Sequence, residues 1–254
     1  MGPLTSSDST QQPGPPELSV VILCYRAGER ARHVVTTIAS ALREGGIANH
    51  QLVLVGNYLD QTLDPTPAVV RDLAAHDSRI VCSTLPKRGM MGWDMRSGLA
   101  LATGSHLAVI DGDGQNPATD VVRGYRELER GGFSLVKAVR VRRADGPLRR
   151  LISLVFNVLF HLLFPGLNAR DINAKPKVMT RAAYEQLELT ADDWFIDAEI
   201  MIAARRLGLR IGEIETVFFE LLGRRSFINF RTMVEFLRNL VRYRLRESRL
   251  RRRV

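Results

Sequence analysis

The sequence has only two cysteines among 254 residues and no Cys/His cluster with the spacing of a zinc site. It also has no G-x-G-x-x-G or G-x-x-x-x-G-K-[ST] motif, which argues against a dinucleotide enzyme and a P-loop ATPase. The amino terminus has no charged-then-apolar signal pattern. We therefore expect a reducing, cytoplasmic location, with Cys24 and Cys82 as buried free thiols.

The excess of positive charge lies in one half of the chain. Net charge is +9, but residues 1–130 carry 12 basic and 14 acidic side chains, against 24 and 13 in residues 131–254. A basic half indicates contact with phosphates, anionic lipid headgroups or nucleic acid. Because the first half is not basic, no nucleic-acid partner is expected.

Strand-like and helical patterns alternate along the first half. Residues 1–17 are rich in Ser, Thr, Gln and Pro and predict a disordered leader. Apolar runs that predict strands follow at 18–25, 50–57, 79–85 and 106–111, with a helical pattern after each of them. This alternation predicts an α/β fold, a Rossmann-like, mostly parallel sheet with flanking helices.

The fourth run ends in two carboxylates, Asp111 and Asp113, interleaved with glycines. Asp-Gly is ordinary turn chemistry, so a polar turn is one interpretation. The other is a site for Mg²⁺ or Mn²⁺ carrying a diphosphate, because ligands of such sheets bind beyond the carboxyl ends of strands.

Two later segments predict membrane contact. Residues 147–167 are apolar apart from a stripe at Arg149, Ser153, Asn157 and His161, which fits either a buried core helix or a helix in the membrane interface. Residues 227–254 form an amphipathic polybasic tail with eight arginines between Arg238 and Arg253. Such a tail suits an anionic membrane surface, although a solvated helix end or an RNA-binding arm has the same composition.

The order of these motifs resembles the family-2 glycosyltransferases with the GT-A fold, and among them the polyprenyl-phosphate sugar synthases. The first strand ends in the family's tyrosine, Tyr25. The glycine-containing helix is matched by Gly92, Arg96, Gly98, Ala102 and Gly104. The D-A-D-L-Q-x-P motif is matched by Asp111, Asp113, Gln115 and Pro117. The resemblance implies that Asp111, Asp113 and Gln115 bind Mg²⁺ or Mn²⁺ and, with Tyr25 and Arg96, a GDP- or UDP-linked sugar.

Further along, the resemblance implies a site for the phosphate of a polyprenyl phosphate lipid. It would be formed by Arg140, Arg149 and Ser153, and Arg forks suit a phosphate at a membrane edge. The family's D-x-x-x-G-F-[KR] segment is matched at Asp171 and Lys177.

Two segments depart from the pattern. Gly56 and Asn57 replace the aspartate pair that binds the nucleobase, and an amide can still donate to and accept from a base edge. In place of the R-x-x-G-x-S-K segment, Arg224 and Arg225 are expected to contact the donor diphosphate.

The resemblance therefore implies a GT-A domain over residues 18–226, an inverting, metal-dependent enzyme that moves a mannose- or glucose-type sugar to a polyprenyl phosphate. It would be peripheral on the cytoplasmic face of the membrane. The candidate catalytic residues are Asp113, Arg149, Asp197 and Glu199. A hydroxyl acceptor would need a general base, for which Asp197 or Glu199 is the candidate. The hypothesis from another class is a non-catalytic phosphate- or RNA-binding protein.

Overall fold

A computed structural model describes residues 14–60, 63–143, 147–167, 169–219 and 230–251. Within them, the side chains at 142–143, 147–153, 230–233 and 248–251 lie outside the description. The strands are β1 (Leu18–Leu23), β2 (His50–Val55), β3 (Ile80–Ser83), β4 (His106–Asp111), β5 (Leu135–Arg143), β6 (Lys177–Thr180) and β7 (Ile211–Phe218). The helices are α1 (Arg30–Glu44), α2 (Thr66–His76), α3 (Met91–Leu99), α4 (Thr119–Gly131), α5 (Pro147–Leu163), α6 (Arg181–Leu187), α7 (Ile196–Arg206) and α8 (Phe230–Arg251).

The seven strands form one sheet in the order β3-β2-β1-β4-β6-β5-β7. The first four strands are parallel, β6 is antiparallel to both of its neighbours, and β7 is parallel to β5. The predicted mostly parallel α/β sheet is confirmed. Register pairs Leu23 of β1 with Asp111 of β4, so the acidic motif begins at the carboxyl edge of the central strands.

Both faces of the sheet are covered, which is why β1 and β2 are buried at every position. Side chains of α1, α2 and α4 pack on one face around Ile38, Val70 and Leu128. Side chains of α3, α5, α7 and α8 pack on the other, including Phe160 and Leu240. The sheet therefore presents its loops, and not its faces, to a ligand.

Two glycines let helix α3 pack closely against its neighbours. A Cβ at Gly98 would lie 2.5 Å from Val21 Cγ1, and one at Gly92 only 2.3 Å from the carbonyl oxygen of Ala191. These approaches account for the glycines of the G-x-x-x-R-x-G pattern. The helix predicted over 91–104 ends at Leu99, and the Gly104 N–H donates to Ser19 Oγ at 2.8 Å instead.

Candidate active site

The acidic motif folds into a tight turn directly after β4. The Gly112 N–H donates to the carbonyl of Leu23 at 2.9 Å, and a Cβ at Gly112 would meet that oxygen at 2.9 Å. Gly114 has a φ of +80°, which favours glycine. Asp113 Oδ1 accepts from the Gln115 N–H at 3.0 Å. The glycines thus set the path of the turn, and Asp111 keeps a side chain that is 32% exposed.

Asp111 ends a line of four alternating charges, which we call the charge row: Lys177, Asp197, Lys175 and Asp111. Asp197 Oδ1 lies 2.6 Å from Lys177 Nζ, and its Oδ2 lies 2.9 Å from Lys175 Nζ. Lys175 Nζ also lies 3.4 Å from Asp111 Oδ1. Burial opposes the charges of Lys177, Asp197 and Lys175, but the paired opposite charges offset that cost.

The pKa directions within the charge row follow from this pairing. Burial alone would raise the pKa of Asp197, but the two ammonium groups outweigh it and hold the pKa below its usual value. Burial disfavours the charge on Lys175 too, yet Asp111 and Asp197 raise its pKa. For Lys177 the effect of burial exceeds that of Asp197, and its pKa is lowered. Asp197 is therefore an anion with no exposed surface, held by two lysines.

A further buried lysine lies on the next strand. Lys137 pairs with Lys177 in the β5–β6 register, and its Nζ lies 3.3 Å from Glu213 Oε1 of β7. Burial lowers the pKa of Lys137 from 10.5 to about 8. Glu213 is shared with Arg170, whose Nε lies 3.1 Å from Oε2.

Asn57, proposed from the sequence to contact the nucleobase, uses its whole amide inside the protein. Its Nδ2 donates to Asp94 Oδ1 at 3.0 Å and to Ser97 Oγ at 2.8 Å. Its Oδ1 accepts from Ser83 Oγ at 2.8 Å and the Leu85 N–H at 2.9 Å. These bonds match the full capacity of an amide, two donors and two lone pairs, and the residue has no exposed surface.

Asp94, which Asn57 holds, forms a buried ion pair with Lys87. Burial raises the pKa of Asp94, although Lys87 acts in the opposite direction. The Lys87 ammonium also lies 4.0 Å from the ring centroid of Tyr25. The candidate donor residue Tyr25 is thus beside a cation, on the loop that follows β1.

The segment before α7 connects three elements. Arg96 of α3 pairs with Asp192 and donates to the carbonyl of Thr190 at 3.2 Å. Glu199 accepts from the backbone N–H groups of Thr190 and Ala191 and from the Tyr243 hydroxyl at 2.6 Å. Both predicted site residues, Arg96 and Glu199, therefore hold the backbone of residues 190–192.

Arg140, expected at the acceptor phosphate, forms a two-pronged ion pair with Asp171. Its Nε and Nη2 lie 2.7 and 2.6 Å from the two carboxylate oxygens. The neighbouring Ile172 N–H donates to Asn157 Oδ1 of α5 at 3.5 Å. The side chains of Arg149 and Ser153 lie outside the described part, as do Arg224 and Arg225 entirely.

Helices α5 and α8 pack together and leave large apolar side chains in solvent. Phe156 and Phe236 stack edge to face across the two helices, with centroids 4.3 Å apart. We call the outward residues the apolar surface: Leu154, Val155, Val158 and Leu162 of α5, and Val234, Leu237, Val241 and Leu245 of α8, each 39–73% exposed. No helix among the described residues has the length and apolar character needed to cross a bilayer.

Phe160 of α5 and Phe164 just after it are core residues, as the buried-helix alternative expects, while Leu162 is 73% exposed. On α8, the residues expected to line one apolar face lie on two different sides of the helix. Leu237 and Val241 point outward, but Leu240 is buried against the protein. The side chains of Phe230 and Met233, assigned to the same face, lie outside the description.

The ligands that the acidic motif offers fit a divalent ion whose coordination is completed by a phosphate. Asp111 and Asp113 offer hard carboxylate oxygens, whereas nowhere among the described residues do three His, Cys, Asp or Glu side chains gather as a metal cage. Mg²⁺ typically binds one or two carboxylates and takes its remaining ligands from water and substrate phosphates. Asp111, Asp113 and the amide of Gln115 would hold such an ion.

Sequence reasoning missed Lys87, Asp94 and Lys175. Asp94 is the one carboxylate of the helical segment G-W-D-M-R, where Arg96 is the other charged residue, and that carboxylate was the available signal. Lys175 occupies the glycine position of the D-x-x-x-G-F-[KR] segment, where a long cation is a departure from the pattern. Lys87 lies seven residues before Asp94 and outside α3, and the partners of Lys175 lie on other elements, so sequence spacing did not indicate either pairing.

The mostly parallel sheet, covered by helices on both faces and carrying an acidic turn at the carboxyl edge of β4, has an α/β architecture of the GT-A type. The sequence model of the family "Glycosyl transferase family 2" matches residues 19–186, more than half of the chain. The chain belongs to this family. The predicted resemblance is confirmed.

Two curated relatives agree with this assignment. The chain is 28% identical to glycosyltransferase AglD of Haloferax volcanii over 214 residues, which cover 78% of this chain and 32% of that protein. It is 25% identical to the dolichyl-phosphate beta-glucosyltransferase ALG5A of Trichomonas vaginalis over 184 residues, 67% of this chain and 55% of that protein. The chain thus matches only part of each relative.

A solved structure supports the fold. Glucosyl-3-phosphoglycerate synthase from Mycobacterium tuberculosis, in complex with UDP, has a TM-score of 0.70 at 19% identity, covering 91% of this chain and 80% of that one. The same protein was solved with Mn²⁺, UDP-glucose and phosphoglyceric acid, with a TM-score of 0.66 and 20% identity. That complex contains a divalent metal and a nucleotide sugar.

Proposed function

We propose that the chain transfers a sugar, of the glucose or mannose type, from a UDP- or GDP-linked donor to a polyprenyl phosphate at the cytoplasmic face of a membrane. The observation that carries the proposal is the apolar surface on α5 and α8. It lies next to the candidate acceptor site, because Asn157 of α5 contacts Ile172, which follows the Asp171 partner of Arg140. The similarity to a dolichyl-phosphate glucosyltransferase supports the same acceptor class.

In this proposal the donor lies at the carboxyl edge of β1 and β4. Asp111, Asp113 and Gln115 would hold a divalent ion, Mg²⁺ or Mn²⁺, against the diphosphate. When bound, the ion neutralises the charge that develops on the leaving diphosphate. Tyr25 and the Asp94–Lys87 pair lie on the loop after β1 and the start of α3, where we place the nucleoside.

The acceptor phosphate is an anion at neutral pH and needs no general base, unlike a hydroxyl acceptor. The geometry of the acidic helix α7 supports this point. Asp197 is held by two ammonium groups, and Glu199 accepts hydrogen bonds from the backbone of 190–191 and from Tyr243. We therefore assign both carboxylates to positioning, and the orientation of the acceptor phosphate to Arg140, Arg149 and Ser153.

Exposed apolar residues that adjoin one another on two helices indicate a surface that meets a lipid or a partner. Exposed apolar residues on ordinary protein surfaces are scattered singly. The arginine-rich end of α8 favours an anionic membrane. We propose that this region, with the 147–167 segment, holds the enzyme peripherally on the bilayer.

The test is an assay of sugar transfer by the full chain. It is incubated with labelled UDP- and GDP-sugars, Mg²⁺ or Mn²⁺ and a polyprenyl phosphate, and label in the organic phase is measured. Label should appear there, vanish with EDTA, and fall by about 10³-fold in Asp113→Asn, a loss of several kcal/mol of transition-state stabilisation. Asp77→Asn, at the amino end of β3, is the matched control. Transfer of label only to hydroxyl acceptors would contradict the proposal.

A further inference from the structure

The contact between Lys175 and Asp111 links a fixed positive charge to the candidate metal site. The ammonium lies 3.4 Å from Asp111 Oδ1, and its other carboxylate partner, Asp197, is shared with Lys177. The four members of the charge row carry two positive and two negative charges, so they are neutral as a set. Asp111 thus enters the metal site with its charge already balanced.

This balance changes what the acidic motif offers to a free metal ion. Two unpaired carboxylates would attract a divalent ion as a doubly negative pair, whereas Asp111 shares its oxygens with an ammonium that is itself buried and 3% exposed. Two cations near one carboxylate repel each other, and the repulsion is strong where water is excluded. A diphosphate brings several negative charges and oxygen ligands, which reverse this balance.

We propose that Lys175 is an internal counter-ion of Asp111 that keeps the site weak for a divalent ion alone and makes metal binding depend on the nucleoside diphosphate. The inference rests on the proposed donor site and concerns a residue outside the acidic motif. Metal and nucleotide then bind as a pair, and the metal leaves with the diphosphate product. Lys175 acts on the metal through Asp111 and is a positioning residue.

The chain offers a matched control. Lys177 is as buried as Lys175 and binds the other oxygen of Asp197, but its remaining contacts are the carbonyls of Ile172 and Ala174. Lys175→Met and Lys177→Met each remove one ammonium and leave Asp197 with the other. Only the first variant removes the ammonium beside Asp111.

The experiment measures Mn²⁺ binding to the full chain from the electron paramagnetic resonance signal of free Mn²⁺, with and without UDP or GDP, corrected for Mn²⁺ held by the nucleotide in solution. Wild-type protein should bind Mn²⁺ at least about tenfold more tightly when the diphosphate is present. Lys175→Met should bind Mn²⁺ alone about tenfold more tightly than wild type, and Lys177→Met should match wild type. A tighter metal site is a gain that structural damage would not produce.

The outcomes separate the two proposals. If Lys175→Met and the neutral Lys175→Gln bind Mn²⁺ no more tightly than wild type, or if wild type binds Mn²⁺ equally with and without diphosphate, the counter-ion role is wrong and the metal site stands. If wild type with diphosphate binds no more Mn²⁺ than Asp113→Asn does, the donor site of the proposed function is wrong. Should both Lys175 variants fail to fold, equal Mn²⁺ binding by wild type with and without diphosphate would still refute the counter-ion role.

Discussion

Replacing Asn57 by the aspartate of the family pattern should destabilise the protein in a pH-dependent way. Asn57 Nδ2 lies 3.0 Å from Asp94 Oδ1, so Asn57→Asp puts two buried carboxylates at hydrogen-bond distance. Two unit charges 3 Å apart repel by ~5 kcal/mol at an effective dielectric constant of 20. The pair therefore shares one proton, as closely spaced carboxylates do.

The cost follows from that proton. Keeping an aspartic acid with a usual pKa of about 3.9 protonated at pH 7 costs ~4 kcal/mol, at about 1.4 kcal/mol per pH unit. We expect Asn57→Asp to lower the free energy of unfolding by up to that amount at pH 7. The deficit should shrink by ~3 kcal/mol at pH 5, because the shared proton then binds more readily.

The assay is urea denaturation of both proteins at pH 7, 6 and 5, with the difference taken at each pH so that other titrating groups cancel. Asn57→Ala is the companion variant. It removes the Asn57 hydrogen bond from Asp94, which keeps Lys87, and from Ser83 and the Leu85 N–H, and should cost ~2–4 kcal/mol with little dependence on pH. An Asn57→Asp protein as stable as wild type at pH 7, or one whose deficit stays constant, would refute the argument.

Two further predictions concern Lys137 and the apolar surface. Because burial lowers the pKa of Lys137 to about 8, the folded protein releases this proton at a lower pH than the unfolded chain does. The free energy of unfolding of wild type should therefore rise by up to ~3 kcal/mol relative to that of Lys137→Met between pH 8 and 10.5, as measured by denaturation across that range. A difference that stays constant with pH would count against this prediction. Leu162→Asp and Val241→Asp should each weaken flotation with anionic liposomes about tenfold by removing an apolar contact with lipid. Thr37→Asp, an exposed change on α1, should float like wild type, and equal flotation of all variants would contradict membrane docking.

Local patterns were enough to predict the sheet and the acidic turn. The apolar runs at β1, β2 and β4 are continuous because both faces of these strands are covered, and that signal is in the sequence itself. The close approach of Gly112 to Leu23 is likewise a local requirement, because a side chain at that position would collide with the Leu23 carbonyl. It is therefore visible in the sequence as a glycine.

The partners of individual side chains could not be predicted, because they come from distant segments. Asn57 looked like a base contact from its position at the end of β2, yet Asp94, 37 residues later, takes its amide. For the same reason, the sequence did not show which side of α8 packs against the protein. Amphipathic spacing marks two sides of a helix, but polar contacts such as Tyr243 with Glu199 decide which side meets the protein.

The glycines of α3 have a mechanical consequence. At Gly92 the helix backbone lies against the backbone of Ala191, and at Gly89 the preceding turn lies against Asp192, with no side chain between them. Side chains absorb small displacements by changing rotamer, and a backbone-to-backbone contact has no such reserve. The contact therefore acts as a stiff joint. The link from Asn239 of α8 to Asp193, by contrast, runs through two side chains, so displacements of α8 can be absorbed before they reach α3.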